Sequence, residues 1–229
     1  MTNSEAIKFT KGIFKYIKEA KSIRDLERIF DTAEELNRNK MSSESYPKIN
    51  FEINYTEIKS LIEAKFIDDD LNFAADISSM IKDPFTKLLY ATLWKNGDLK
   101  KIKHIIKGIK DTEAENSDQE NALVFHQFGK YLTKKPGEPI IDQHVIRAFA
   151  LYIKTDENDI LKFRKLQLLD KTCIPIINEY KKWLVSDELT EELKQEKDYT
   201  YFIDKLLFAT GKTIKTHKSK SSFPVSMEN

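Results

Sequence analysis

The chain has 229 residues, 40% of them hydrophobic, which is enough to core one large domain or two small ones. A third of the residues are charged, yet 38 Lys+Arg against 37 Asp+Glu leave a formal net charge of +1; a global field drawing the chain to a polyanion is excluded, and any such attraction must come from local clusters. Cys173 is the only cysteine, which excludes an intramolecular disulfide, a thiolate zinc centre and an iron–sulfur cluster.

Residues 1–10 lack a long apolar stretch, so no signal peptide is expected. No run of about 18 uncharged apolar residues follows, so no membrane partner is expected and the cytoplasm is the default compartment. Six glycines and six prolines are few for a strand-rich fold, and the apolar spacing agrees with an all-α protein. Ile7, Ile13, Phe14 and Ile17 predict a first helix ending near Ala20. Leu26, Ile29, Phe30, Ala33 and Leu36 predict a second, capped by Ser22 with Asp25 three residues on. Residues 40–50 read as a loop. The alternation of Ile49, Phe51, Ile53 and Tyr55 allows a short strand, and Ile58, Leu61, Ile62 and Phe66 predict a helix.

Helices are expected next at 69–82 and 84–95, the latter with Asp83 as cap and Pro84 in the first turn, stopped by Asn96-Gly97. Another runs over 98–110. The acidic, polar stretch 111–120 reads as an exposed loop or helix start. Further helices are expected near 119–133, 142–154, 157–168, 172–185, from 187 onward, and over 198–210. The basic remainder, 212–229, is expected to be a disordered tail following one helical domain over 1–211. Cys173, within Thr-Cys-Ile-Pro-Ile-Ile, reads as a small buried residue. The four histidines form no metal-binding pair, so neither a metal nor any other cofactor is expected. Ala209-Thr210-Gly211-Lys212-Thr213 contains only the end of a phosphate-loop motif.

The stretch from Phe125 to Leu132, a turn containing Pro136-Gly137, and Pro139 to Phe149 read as a helix, a turn and a buried entry into a new helix. Asp142 falls where the apolar run ends and the helix begins. A carboxylate at such a cap accepts amide hydrogen bonds and meets the positive end of the helix dipole, and both effects favour its ionised form. The string Ile141-Asp142-Gln143-His144-Val145-Ile146-Arg147 resembles the V-D-x-H-[VI]-x-R motif of the helix–hairpin–helix DNA glycosylase superfamily, which includes 8-oxoguanine glycosylase-like and endonuclease III-like proteins. The likeness covers about residues 80–155. It implies a compact multi-helix bundle of that fold, with Asp142 as the catalytic carboxylate. The family hairpin, roughly L-P-G-[VI]-G, is not preserved: Glu115 to Asn121 offers no glycine pair and is acidic where a phosphate should approach. No lysine lies in 117–121, where lyases of the family carry one, so the resemblance implies a monofunctional enzyme that leaves the strand uncut.

An N-glycosidic bond breaks through an oxocarbenium-like sugar, which an ionised Asp142 would stabilise while it orients or activates water. The extruded base would need aromatic or apolar walls, for which Tyr90, Trp94, Phe128 and Tyr131 are candidates, with His144 beside them. In 98–110 an apolar stripe (Leu99, Ile102, Ile106, Ile109) is matched by a basic one (Lys100, Lys103, Lys107, Lys110) suited to the backbone of duplex DNA. Lys134, Lys135 and Arg147 are further candidates for phosphate contacts. Beside the glycosylase stands an alternative: a non-catalytic helical module with a degenerate hairpin that binds nucleic acid or protein. A pocket opening at Asp142, flanked by the lysine row, would separate the first from the second.

Overall fold

The computed structural model describes residues 1–114 and 122–215; the degenerate hairpin and most of the expected tail lie outside the described residues. Within them the chain is all-α: thirteen α-helices, three 3-10 turns and no strand longer than the single bridge Ile67–Phe73. No helix among the described residues is long and apolar enough to cross a membrane.

Local chemistry explains most boundaries. Helix α1 (Asn3–Glu19) opens on a reciprocal cap in which the Thr2 hydroxyl accepts the Glu5 amide and the Glu5 carboxylate accepts the Thr2 amide. Ser22 caps α2 (Ile23–Ile29) as expected. The expected continuous helix to Leu36 breaks at the 3-10 turn Phe30–Thr32, because the Thr32 hydroxyl donates to the Ile29 carbonyl at 2.6 Å and Ala33 is extended; α3 (Glu34–Arg38) restarts beyond it.

No strand forms over 49–55, where the Ile53 amide donates instead to the Leu132 carbonyl at 3.0 Å. Helix α4 (Tyr55–Glu63) carries a second reciprocal cap, Asn54 with Glu57. The helix expected over 69–82 shrinks to α5 (Ile77–Met80): the Asp68 carboxylate captures the Asn72 amide at 2.8 Å, and Leu71 takes the left-handed conformation at φ 63°. Helix α6 (Pro84–Lys95) starts at Asp83 and stops before Gly97, as the sequence predicts.

A 3-10 turn, Leu99–Lys101, leads into α7 (Ile102–Ala114), and α8 (Leu123–Leu132) packs against it. Then come α9 (Gln143–Ile153), α10 (Glu157–Arg164), α11 (Ile174–Leu184), α12 (Glu191–Gln195) and α13 (Tyr199–Thr213). The boundary expected at 212 is corrected: α13 continues to Thr213 and Ile214 is fully buried.

Two apolar clusters hold the chain. The larger joins α1–α3 to α9–α13 and contains the ring cluster Phe14, Phe149, Tyr152, Tyr180 and Trp183, with Phe14 stacked on Tyr152 at 4.0 Å. The smaller gathers Ile58 of α4, Ile67 of the bridge and Ile106 and Ile109 of α7. The N- and C-terminal helices thus form one body and the central segments another. Helix α9 belongs to the first.

Two helix pairs approach closely enough to exclude any side chain. A Cβ at Gly108 of α7 would lie 1.9 Å from the His126 carbonyl oxygen, and one at Gly129 of α8 would lie 2.0 Å from that of Ile105. A Cβ at Gly211 of α13 would lie 1.9 Å from the His144 carbonyl oxygen on α9.

Candidate functional site

Asp142 is placed by its neighbours. Ile141, Val145 and Ile146 are buried in the larger core, which fixes both sides of the helix start. The Asp142 backbone is extended, and its Oδ1 accepts the amides of His144 at 2.7 Å and Val145 at 2.9 Å. Its titration departs from the sequence expectation. Burial is the largest influence and pushes the carboxyl above its ordinary range, while the two amides and Arg147 pull it back only in part.

Asp142 lines a cavity of about 610 Å³. One wall is the 41–49 segment with Met41, Tyr46 and Pro47, and the second is α8 with Val124 and Phe128. The third is formed by Ile140 to Val145 and the α13 residues Tyr201, Asp204, Lys205 and Phe208. The cavity lies where the terminal helices meet the central segments. Its lining is mostly apolar and aromatic, with few polar groups, the usual character of a small-ligand site.

Asp204 was not singled out on sequence. It is 3% exposed, accepts the Ile140 amide at 2.8 Å and the Tyr180 hydroxyl at 2.5 Å, and is pushed far above the carboxylate range by burial. The signal was present: a carboxylate among Ile203, Leu206 and Leu207, on the face of the helix that carries Tyr201 and Gly211. The close approach at Gly211 brings that face against the start of α9, and so sets the two carboxyls on one cavity.

The other expected site residues divide. Phe128 lines the cavity. Tyr131 stacks on Phe128 with centroids 6.1 Å apart but is buried behind it, on a different cavity. Tyr90 and Trp94 are not with Asp142: Tyr90 lines a groove between α4, α5 and α6, and Trp94 is 65% exposed. His144 packs edge-on against Phe208, and its Nδ1 meets the Arg147 guanidinium at 2.6 Å. Burial and that cation push its pKa down to about 4, so the imidazole is neutral at neutral pH and accepts the bond.

Arg147 makes no phosphate contact of the kind expected. It is fully buried, and its guanidinium donates to the carbonyls of Gly211 at 2.9 Å and of Leu166. Lys134 donates to the Ile49 carbonyl and Lys135 to that of Thr112. Lys100 and Lys110 are exposed, Lys103 and Lys107 half-buried, and none lines the cavity. The cations near Asp142 are different ones: Lys205 in the wall, and Lys212 and Lys215, which help depress His144.

Among the described residues no cluster of His, Cys, Asp and Glu could hold a metal ion. Comparison with family models, with curated proteins and with solved structures finds no match for this chain.

Proposed function

We propose that the protein is a monofunctional glycosylase of the helix–hairpin–helix kind, hydrolysing the N-glycosidic bond of a damaged or modified base in duplex DNA. One observation carries the reading: Asp142, its carboxyl fixed at a helix N-terminus, lines an aromatic-walled cavity. Phe128, Tyr201 and Phe208 supply flat apolar surface for an extruded ring. Ionised Asp142 faces the sugar carbon as positive charge develops there and positions the attacking water. Asp142 must lose its proton to act, and its pKa is raised, so the acid limb of the rate profile is expected above pH 3.8, the ordinary aspartate value.

The test is a panel of duplexes carrying different modified bases, assayed for abasic-site formation. Asp142→Asn keeps a capping oxygen and removes the charge. It is expected to fold normally and to lose about a hundredfold to a thousandfold in excision rate. Borohydride is expected to trap no covalent adduct, since no amine nucleophile is placed by the sequence where lyases of the resembled family carry one.

A second reading, a module that binds nucleic acid or protein without cutting, draws support from the lysine row, none of which lines the cavity. It becomes the better one if wild type excises no base in the panel.

A further inference from the structure

We propose that residues 41–47 are a lid on the Asp142 cavity, hinged at 39–40 and 48–49, which opens to admit a ligand and closes with Tyr46 over it. The inference concerns access to the cavity and holds whatever reaction takes place there.

The stretch between α3 and α4 forms no regular element, yet both of its ends are tied down. At the near end the Asn39 side-chain amide donates to the Thr213 hydroxyl at 3.0 Å, and the Lys40 ammonium lies 4.7 Å from the centre of the Phe30 ring. At the far end Lys48 pairs with Asp198 at 2.8 Å, and the Ile49 carbonyl accepts from Lys134 at 2.9 Å. The Ile53 amide, bound to the Leu132 carbonyl, fixes the chain beyond.

Between the ties the hydrogen bonds of the segment are its own. The Tyr46 amide donates to the Ser42 carbonyl at 2.9 Å and the Ser45 amide to the Ser42 hydroxyl at 3.3 Å. Among the described residues no hydrogen bond or ion pair joins 41–47 to another element, and every residue from Ser42 to Pro47 is exposed. A stretch with few buried contacts and a solvated backbone opens at low cost while the elements beneath it stay folded.

The same stretch walls the cavity through Met41, Ser45, Tyr46 and Pro47. Tyr46 does so while 61% exposed, so its ring stands at the rim. The other aromatic residues of the lining, Phe128, Tyr201 and Phe208, sit on α8 and α13. Closure buries the Tyr46 ring against a flat ligand lying on those helical walls, and opening releases it.

The experiment measures, in the full chain, the rate at which iodoacetamide alkylates a thiol introduced by Val145→Cys, read by peptide mass spectrometry. Val145 lines the cavity and is 2% exposed. Cys173 is the internal control: it is 1% exposed in the same core, does not line the cavity, and reacts only when the core opens. The introduced thiol is expected to react about tenfold faster than Cys173 or more. Lys48→Ala frees the far hinge and Tyr46→Ala removes the rim contact; each is expected to speed the reaction about threefold to tenfold, with the Cys173 rate and the melting temperature retained. Lys11→Ala, on the outside of α1, is expected to change nothing. Ile140→Cys, half-buried in the same lining, repeats the measurement at a second site. A cavity thiol that reacts only as fast as Cys173 overturns the proposal, because the cavity then opens only with the core. A thiol as reactive as free cysteine overturns it too, since nothing then covers the cavity, as does a rate indifferent to both Lys48→Ala and Tyr46→Ala.

Discussion

Arg147 shows how a motif position can be read correctly for location and wrongly for use. On sequence it stands five residues past Asp142, as a candidate for phosphate contact; the wheel of α9 instead turns it into the core, against Gly211, Leu166 and His144. A buried guanidinium without a hydrogen-bonded carboxylate is tolerable only because carbonyl dipoles and a neutral imidazole surround it. Arg147→Ala is therefore expected to destabilise the protein by about 3 kcal/mol in urea denaturation, with no change in the salt dependence of any DNA binding. His144 must stay neutral to accept from Arg147. Its folded pKa of about 4 lies below the ordinary histidine value of 6.5, so its contribution is fully present above 6.5 and is lost as pH falls toward 4. Melting temperature is expected to fall across that window, and less steeply in His144→Gln. Asp204 shows the opposite sign. Its folded pKa is raised, so the stability it contributes is present at acid pH and is lost as pH rises through the folded value.

Helix positions were legible wherever a local signal set them. Ser22, Asp83-Pro84 and Asp142 mark starts that depend on one side chain and the next three amides, and Asn96-Gly97 marks a stop. What spacing did not reveal was competition within a segment. Thr32 withdraws a helix carbonyl, and Asp68 withdraws the Asn72 amide, so 26–36 is broken and 69–82 is mostly turn. Nor did it reveal helix contacts, because a glycine in mid-helix reads the same whether it faces a neighbour or open space. The structure separates the two. Gly12 of α1 has nothing within 4 Å of an added Cβ, whereas Gly211 would meet the His144 carbonyl oxygen at 1.9 Å. Gly12→Ala is expected to stabilise by ~0.5–1 kcal/mol. Gly211→Ala must push α9 from α13 and is expected to destabilise by about 2–3 kcal/mol. Urea midpoints moving in opposite directions would establish the contrast. Movement of Gly211→Ala in the same direction as Gly12→Ala would remove the α9–α13 contact as the feature that sets Asp142 beside Asp204.

At the scale of the whole molecule, only the smaller part of the candidate site was legible. Asp142 and Phe128 were found because a motif and its flanking helix lie in one stretch of chain. Tyr46, Tyr201, Asp204 and Phe208 were not, because they come from segments on either side of that stretch and converge only when the larger core closes. The same closure decides which cations can serve the cavity. A duplex whose base enters it must run past the start of α9 and the α13 residues that line the wall. Lys205 lies on that wall and Lys212 and Lys215 close to His144, while none of Lys100, Lys103, Lys107 and Lys110 lines the cavity. Each phosphate contact contributes about one unit to the slope of log affinity against log salt. Charge reversal of Lys205, Lys212 and Lys215 together is expected to weaken duplex binding and to lower that slope by about two to three units. The same change in the α7 row is expected to leave excision unaltered and to lower the slope by less than about one unit. Fluorescence anisotropy over a salt series, run beside the excision assay, reads both quantities. If reversal of the α7 row abolishes binding while the α13 set is silent, DNA does not reach the molecule through this cavity, and Asp142 is a helix cap rather than a catalytic carboxylate.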